Sequence, residues 1–361
     1  MLRGMTYQRY LVRETMLAIL LVLFAFVALF GFFDFVDELR WVGRGRYGVG
    51  SAMLIVLASL PGLVYELIPV ACLIGTLYAL ATLARHSEIT VLRASGLTTG
   101  QLLRTLYRAA ILLAVATFVL GETVVPFADR LGQEVKASAM DKSFAQQGFI
   151  SGIWVKDGKD FINVRNALNE NYLEGVRIYR FDRDNALRSV TEANSASYVE
   201  RSGWLMKDVV RTELAGDQAS VVHLASDLWQ SSITPTLLSV LMVAPERMSL
   251  YDLFGYTRHL SANRQTTERY EIAIWKKIFY PLASLVMVTL ALPFGYFHDR
   301  VGGVSLKIFG GVMLGITFYA LNGLFSNLGV INAWPPFASA AAPSALFLLA
   351  AATMIWWVER R

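Results

Sequence analysis

Four long stretches of the chain contain no Asp, Glu, Lys or Arg. They cover residues 15–33, 67–84, 278–297 and 308–358. A helix of about 20 apolar residues crosses the hydrocarbon core of a bilayer, so the last stretch is long enough for two crossings. Turn-forming residues cluster at 326–336 and divide it into spans at 308–325 and 337–358. A further apolar segment at 108–126 completes the pattern of a multi-span membrane protein.

The stretch 47–84 allows two interpretations, because it contains 38 residues and one charge, Glu66. Two spans would need a turn near Pro61 and Gly62, which leaves little room for Glu66 and Pro69. We therefore predict one span at about 63–84, preceded by an amphipathic or lateral helix over residues 49–60. This interpretation gives six spans in total.

The distribution of basic residues orients the six spans. Short cytoplasmic loops carry an excess of Lys and Arg. Six spans place both termini and the loops 85–108 and 298–307 on one side, where Lys and Arg are frequent, whereas the opposite loop 326–336 has no charge. We expect both termini to be cytoplasmic and the segment between the third and fourth spans to be periplasmic. Two spans within 47–84 would break this agreement.

The long polar segment, residues 129–271, has the pattern of a β domain. Short runs rich in Val, Ile, Tyr, Phe and Trp are separated by turn residues such as Asp157 and Gly158. Regularly spaced short strands favour a sandwich or a jelly roll. The flanks at 127–146 and 249–277 have helical composition. We predict an integral membrane α-helical protein of six transmembrane helices with an inserted periplasmic all-β jellyroll-like domain. The predicted domains are 1–128, 129–271 and 272–361.

Composition agrees with a membrane protein. The chain has 361 residues, 55% of them hydrophobic and 17% charged, against about 45–50% and 25% in soluble domains. The net charge of +5 comes from residues that flank the spans, because 129–271 holds 17 basic and 19 acidic residues. A nucleic-acid partner is therefore not expected. Cys72 is the single cysteine, so no internal disulfide forms.

Motifs for cofactor chemistry are absent from the sequence. No G-x-x-x-x-G-K-[ST] phosphate-binding loop occurs, and the four histidines do not have metal-ligand spacing. No nucleophile-elbow pattern is present. We expect no catalytic residue, no metal and no cofactor in this chain. An energy-driven function would then need ATP and Mg bound by a partner ATPase.

A short cytoplasmic helix is predicted between the second and third spans. A serine at the N-cap position precedes a glutamate, and two apolar residues three apart share a face. A glycine follows at the stop position, and a threonine and a glutamine match a capping box that opens the third span. These residues are Ser87, Glu88, Ile89 and Leu92, Gly96, Thr98 and Gln101. The helix either docks a cytoplasmic motor or connects two spans along the membrane.

Charged residues gather at the outer ends of the first and fourth spans. They are Asp34, Asp37, Glu38, Arg40, Arg44, Arg46, Lys276 and Lys277. An ion pair between Asp37 and Arg40 is one explanation. Binding of an anionic lipid headgroup is the other, because a guanidinium group matches phosphate in a bidentate geometry.

Small residues recur at four-residue spacing within two spans. They are Ala71, Gly75 and Ala79, and Gly311 and Gly315. Such spacing permits close helix packing, either within the chain or at a subunit interface. Two ionisable residues near the membrane, Glu66 and Glu122, are functional candidates or lie at the interface.

Three segments give the chain a resemblance to a known family. The sequence at 85–96 contains S-E-x-x-x-x-x-A-S-G, the sequence at 35–39 is F-V-D-E-L, and 275–282 reads W-K-K-I-F-Y-P-L. With Arg9 and Tyr10 before the first span, they resemble the LptF/LptG family of lipopolysaccharide export permeases over nearly the whole chain. The segments at 35–39 and 275–282 are more similar to the LptG type.

The resemblance implies partners and residue roles. The partners would be an LptF-type permease, an LptB-type ATPase dimer, an LptC-type bridge protein leading to LptA, and lipopolysaccharide in the bacterial inner membrane. Contacts with the ATPase would come from Arg85, Glu88, Ile89, Leu92 and Arg93. Headgroup ligands would be Arg40, Arg44, Arg46, Lys276 and Lys277. The acyl-chain cavity would be lined by Phe26, Leu29, Phe30, Phe33, Leu60, Leu67, Ile68, Ile316, Phe318 and Leu321.

Two other functions remain open from the residues alone. An ABC-linked mechanotransmitter or sensor would also combine a motor-binding helix with an external domain, although such transmitters typically have four spans. An intramembrane lipid enzyme would need convergent polar residues inside the spans, and few are present.

Overall fold

The computed structural model describes residues 2–43, 46–139, 153–169, 171–182, 186–199, 202–215, 218–231, 233–235, 245–295 and 304–360. The described helices are α1 (Leu2–Glu38), α2 (Val49–Arg85), α3 (Glu88–Ala94), α4 (Thr99–Val119), α5 (Val125–Ala139), α6 (Leu250–Ala262), α7 (Glu268–Ala291), α8 (Val304–Ile331) and α9 (Pro336–Glu359). The described strands are β1 (Ile153–Asp157), β2 (Asp160–Asn169), β3 (Tyr172–Phe181), β4 (Leu187–Val199), β5 (Gly203–Ala215) and β6 (Gln218–Trp229).

Six helical segments are long and apolar enough to cross a membrane. They are α1, α2, the continuous helix formed by α4 and α5, α7, α8 and α9. A π-helical turn, Leu120–Val124, joins α4 to α5 without interrupting the helix. The prediction of six spans, with a β domain between the third and the fourth, is confirmed.

The second span differs from the prediction in one respect. The structure shows one continuous helix over Val49–Arg85 instead of a lateral helix followed by a span. Pro61 and Pro69 lie inside it, where each removes one backbone hydrogen bond. Neighbouring helices compensate for this loss in membrane proteins. They are close here, because α2 is the most extensively buried of the six spans.

The small-residue motifs pack helices within the chain. A methyl group added to Gly75 would lie 2.5 Å from the Cα atom of Ile19, so α1 and α2 are in backbone contact there. Gly311 and Gly315 of α8 are similarly close to Leu77 and Val70 of α2. The intramolecular explanation of both motifs is therefore confirmed, and α2 is the helix on which α1 and α8 pack.

The described strands form one antiparallel sheet in the order β1-β2-β3-β4-β5-β6. Each strand pairs with the next along the chain, so that Ile178 of β3 lies beside Ile162 of β2 and Thr191 of β4. The inserted domain is thus all-β, as predicted. Its described strands form a meander that is not a closed barrel.

One face of the sheet carries the core of this domain. Ile162, Ile178 and Trp204 are buried on it, and the indole of Trp204 donates a hydrogen bond to the carbonyl of Ile233 at 2.8 Å. Adjacent strand residues point to opposite faces. Tyr179 therefore lies on the other face, where its ring stacks on Trp154 at 5.7 Å.

The helical flanks of the β domain link it to the spans. The first predicted flank is helical as far as Ala139, and residues 140–146 lie outside the described part of the chain. The second flank is two helices, α6 and α7. Between them, the side-chain oxygen of Asn263 accepts a hydrogen bond from the backbone N–H of Gly158 at 2.6 Å. This contact ties α6 to the β1–β2 turn.

Candidate functional site

A cavity of about 320 Å³ lies between α2, α7, α8 and the turn Pro245–Arg247. The position of the cavity across the bilayer can be estimated from Glu66. It lies 19 residues before Arg85, the last residue of α2. At 1.5 Å per residue this is about 29 Å, close to the hydrocarbon thickness of about 30 Å. The cavity therefore lies at the membrane boundary on the side of the sheet. We call it the interface pocket.

Three tyrosines line the interface pocket. The rings of Tyr65 on α2 and Tyr280 on α7 stack with centroids 4.9 Å apart. The hydroxyl of Tyr280 donates a hydrogen bond to the backbone carbonyl of Glu66 at 2.6 Å. Tyr319 reaches the pocket from α8 and remains largely exposed. Amphipathic tyrosines suit a site that is apolar on one side and wet on the other.

Arg247 supplies positive charge to the opposite wall. Its guanidinium lies 3.6 Å from the Glu66 carboxylate and 3.4 Å from that of Asp129 on α5. Asp129 is almost fully buried, so it needs this partner. Glu66, predicted as a functional candidate or an interface residue, thus shares one arginine with Asp129.

Glu122 has a different partner, Lys277. The Lys277 ammonium lies 3.3 Å from Glu122 Oε1 and donates a hydrogen bond to the carbonyl of Met248. The second Glu122 oxygen accepts a hydrogen bond from the backbone N–H of Leu250 at 2.9 Å. Lys277 is 4% exposed. The structure therefore places this predicted headgroup ligand in an internal ion pair, because a buried ammonium needs a carboxylate partner.

The same region is held by a fourth ion pair. Arg130 of α5 lies 2.7 Å from Asp252 in the first turn of α6. Ser249 caps α6, since its hydroxyl oxygen accepts the N–H of Asp252 at 3.1 Å. Together these contacts fix residues 247–252, through which the chain returns from the sheet, to the ends of α5 and α7.

The other predicted headgroup residues occupy two places. Lys276 lines the interface pocket. Arg40 is exposed and pairs with Asp37 at 3.0 Å, so the predicted ion pair is present. Arg46 is exposed, and Arg44 lies outside the described residues. The segment that follows α1 thus presents guanidinium groups at the surface.

Glu38 anchors that end of α1 to its surroundings. It accepts a hydrogen bond from Tyr47 at 2.6 Å and lies 2.9 Å from the Lys136 ammonium. Burial, followed by the contact with Glu38, raises the pKa of Tyr47 above its ordinary value. The tyrosine therefore stays protonated and keeps donating to the carboxylate.

The ten predicted acyl-chain residues separate into two groups. Ile68 and Phe318 are buried in the core of the helical region, because they lie at contacts of α2 and α8 with their neighbours. The others are exposed or half-buried on α1, α2 and α8: Phe26, Leu29, Phe30, Phe33, Leu60, Leu67, Ile316 and Leu321. In the most apolar 18-residue segment of α1, and likewise of α8, only 17% is buried. The corresponding share in α2 is 72%. These two helices present open apolar faces.

The short helix α3 between the second and third spans is formed largely as predicted. The N–H groups of Gly96 and Leu97 donate to the carbonyls of Arg93 and Leu92 at 2.9 and 3.1 Å, the pattern of a Schellman stop. Gly96 has the positive φ of 95° that this stop requires. The capping box of Thr98 and Gln101 is also present.

The start of α3 differs from the prediction. Ser87 has a left-handed backbone, with φ of 61°, and its side chain makes no capping hydrogen bond. The hydroxyl of α1 residue Tyr10 instead reaches Glu88 at 3.4 Å. An N-cap residue usually has an extended backbone, so the left-handed backbone of Ser87 departs from the usual N-cap conformation.

The predicted coupling residues lie on both faces of α3. Ile89 and Leu92 pack against the core of the helical region, so they hold the helix in place. Arg85, Arg93 and Val91 are exposed, and Val91 is 65% exposed. The outward face therefore combines charge with one large apolar side chain that the sequence analysis did not select.

Sequence reasoning also missed Arg247, Asp129 and the three tyrosines. Arg247 lies 181 residues from Glu66 in the sequence, and no local pattern marks either as the partner of the other. Within the described residues, no group of three or more His, Cys, Asp and Glu side chains is placed to hold a metal ion.

Comparison with known proteins agrees with the geometry. The model of the family described as lipopolysaccharide export system permease LptF/LptG matches residues 9–357. The chain is 32% identical to the lipopolysaccharide export system permease protein LptG of Escherichia coli (strain K12), over 98% of both chains. It is 29% identical to the LptG protein of Haemophilus influenzae, over 99% of this chain and 98% of the relative. The chain belongs to the LptF/LptG family of lipopolysaccharide export permeases.

Proposed function

We propose that this chain is the LptG-type permease subunit of a lipopolysaccharide exporter in the inner membrane. It pairs with an LptF-type permease above an LptB-type ATPase dimer, which binds ATP and Mg. The cargo is lipopolysaccharide from the outer leaflet, passed to an LptC-type bridge and on to LptA. The observation that carries this proposal is the pair of open apolar faces on α1 and α8 in a chain of this family.

The cargo route follows these open faces. Leu29, Phe30 and Phe33 project from the outer half of α1, and Ile316 projects from α8. Large exposed apolar faces mark sites that bind lipid or another protein. A second permease facing them would enclose a cavity suited to acyl chains. Arg40 and Arg46 at the outer end of α1 would then contact headgroup phosphates, while Lys277 remains with Glu122.

Helix α3 is the proposed contact with the motor. Its outward face would receive the push of the ATPase through Glu88, Val91 and Arg93. Its inward residue Ile89 and the Tyr10–Glu88 hydrogen bond connect it to the core and to α1. A displacement of α3 would therefore move the helix that forms the cavity wall. This coupling supports closure of the cavity and upward transfer of lipid.

The topology follows from charge. The excess of basic residues in the short loops supports cytoplasmic termini, a cytoplasmic α3 and a periplasmic sheet. The core face of the sheet would receive acyl chains, because it presents Ile178 and its apolar neighbours.

Purification of the tagged full-length chain from its own membranes tests this assembly. We expect a complex of this chain, a second family permease and two copies of an ATPase, with lipopolysaccharide bound. A complex that contains the ATPase but neither a second permease nor lipopolysaccharide would support the mechanotransmitter interpretation instead.

A further inference from the structure

The interface pocket contains one cation and one anion that form no direct ion pair with any described residue. Within the described residues, neither Lys276 of α7 nor Glu246 of the turn Pro245–Arg247 has an oppositely charged group within 4.0 Å. Of the neighbouring charges, Lys277 pairs with Glu122, and Arg247 is shared by the two carboxylates of Glu66 and Asp129. Lys276 and the exposed Glu246 are therefore the two pocket charges without a direct ion pair, and they attract each other without being in contact.

This charge pattern selects among lipid headgroups. A group that carries only phosphates would meet Lys276 but would also be repelled by Glu246. A headgroup with both a phosphate and an amine satisfies both residues. The faces of Tyr65, Tyr280 and Tyr319 offer further attraction to an ammonium group.

We propose that the interface pocket binds a glycerophospholipid with a zwitterionic headgroup, such as phosphatidylethanolamine. Lys276 binds the phosphate and Glu246 binds the amine. The volume of about 320 Å³ lies within the range of small-ligand sites. The depth estimated from Glu66 places the pocket at headgroup level, and the open side at Gly323 of α8 gives an acyl chain a way out of the pocket. The proposal rests on the proposed function only for the side of the membrane.

The open side of the pocket provides a steric test. A methyl group added to Gly323 of α8 would have no atom within 4 Å, although Gly323 lines the pocket. Gly323→Leu therefore fills the entrance without removing a charge or a packing contact, and replacement of a helical glycine favours the helix. Loss of lipid binding in this variant is not explained by misfolding.

Native mass spectrometry of the delipidated full-length chain tests the proposal. Phosphatidylethanolamine and phosphatidylglycerol are titrated separately, without lipopolysaccharide, ATPase or nucleotide. We expect the wild type to prefer phosphatidylethanolamine, with binding weakened by about tenfold or more when one charged contact is lost. Lys276→Gln should weaken the binding of both lipids. Glu246→Gln should weaken only the binding of phosphatidylethanolamine and so abolish the preference. Gly323→Leu should prevent binding of either.

The matched controls are Lys207→Gln on the sheet and Glu134→Gln on α5, both exposed and outside the pocket. They should bind lipid like the wild type. Equal affinity of the wild type for the two lipids, or retention of the preference in Glu246→Gln, would overturn the proposal. Displacement of phosphatidylethanolamine by lipopolysaccharide through Lys276 would also overturn it, by assigning the pocket to the cargo. Because the assay contains no exporter partners, its failure leaves the proposed export function untouched.

Discussion

Lys277 of α7 lies 3.3 Å from Glu122 in the π-helical turn between α4 and α5. The two residues also hold the backbone at Met248 and Leu250, where the chain returns from the sheet. One ion pair therefore joins two membrane spans to the start of α6. A π-helical turn at a functional position is common, and here it directs Glu122 toward Lys277.

Removal of one partner of this pair should destabilise the protein strongly. Lys277→Ala leaves the Glu122 carboxylate without its cation, and breaking a buried ion pair costs about 3–5 kcal/mol. Replacement of both residues, as Glu122→Gln with Lys277→Met, should cost less than the single change. The measurement is the free energy of unfolding of the detergent-solubilised full chain.

Arg40→Ala is the control for this experiment. Arg40 and Asp37 form an ion pair of similar length that is exposed to solvent, and such pairs contribute about 0–1 kcal/mol. Equal destabilisation by Arg40→Ala and Lys277→Ala would show that burial of the Glu122–Lys277 pair is not important.

Changes on the two faces of α3 should have different effects. Glu88→Lys and Val91→Asp alter the outward face and should abolish lipopolysaccharide export while the protein remains folded. Ile89→Ala removes buried apolar volume, so it should lower stability by about 2–5 kcal/mol. Export is measured as lipopolysaccharide at the cell surface, and folding as thermal unfolding of the purified chain.

Glu134→Lys, an exposed charge reversal on α5, serves as the control for the α3 variants. It should export normally. Normal export by Glu88→Lys would contradict the assignment of α3 as the motor contact.

The contact between α1 and α2 should not tolerate a side chain at Gly75. Gly75→Ala places its methyl group 2.5 Å from the Cα atom of Ile19, and backbone atoms cannot move aside cheaply. Overpacking of this kind costs about 1–3 kcal/mol.

Gly310→Ala is the matched change, because its methyl group meets no atom within 4 Å and alanine favours the helix by up to about 1 kcal/mol. The midpoint temperature of thermal unfolding should therefore fall for Gly75→Ala and not for Gly310→Ala. Opposite or equal shifts would contradict the close packing of the two helices.

Local sequence patterns predicted the parts of the fold that depend on nearby residues. The spans follow from length and hydropathy, and the capping box of Thr98 and Gln101 and the stop at Gly96 follow from short-range hydrogen bonds. Ser87 failed as a side-chain cap because its backbone is left-handed, and local sequence does not mark a serine for that conformation.

The interface pocket could not be predicted in the same way. Its residues come from α2, α7, α8 and a turn that are far apart in the sequence. Lys276 and Lys277 are adjacent and looked equivalent, yet only one of them meets a carboxylate, because neighbouring helical residues point about 100° apart. The rotation of each helix decides such roles, and it depends on packing with other helices.

The central claim is that this chain carries lipopolysaccharide from the bilayer to its sheet. Photocrosslinking in living cells tests this claim most directly. Probes are placed at Phe30 on the open face of α1 and at Leu224, which packs at the core face of β6. His223, the neighbouring residue on the exposed face, is the control. The account predicts lipopolysaccharide adducts at Phe30 and, only with ATP hydrolysis, at Leu224, and none at His223. Absence of adducts at Phe30 and Leu224 in a complex that retains its ATPase would contradict it.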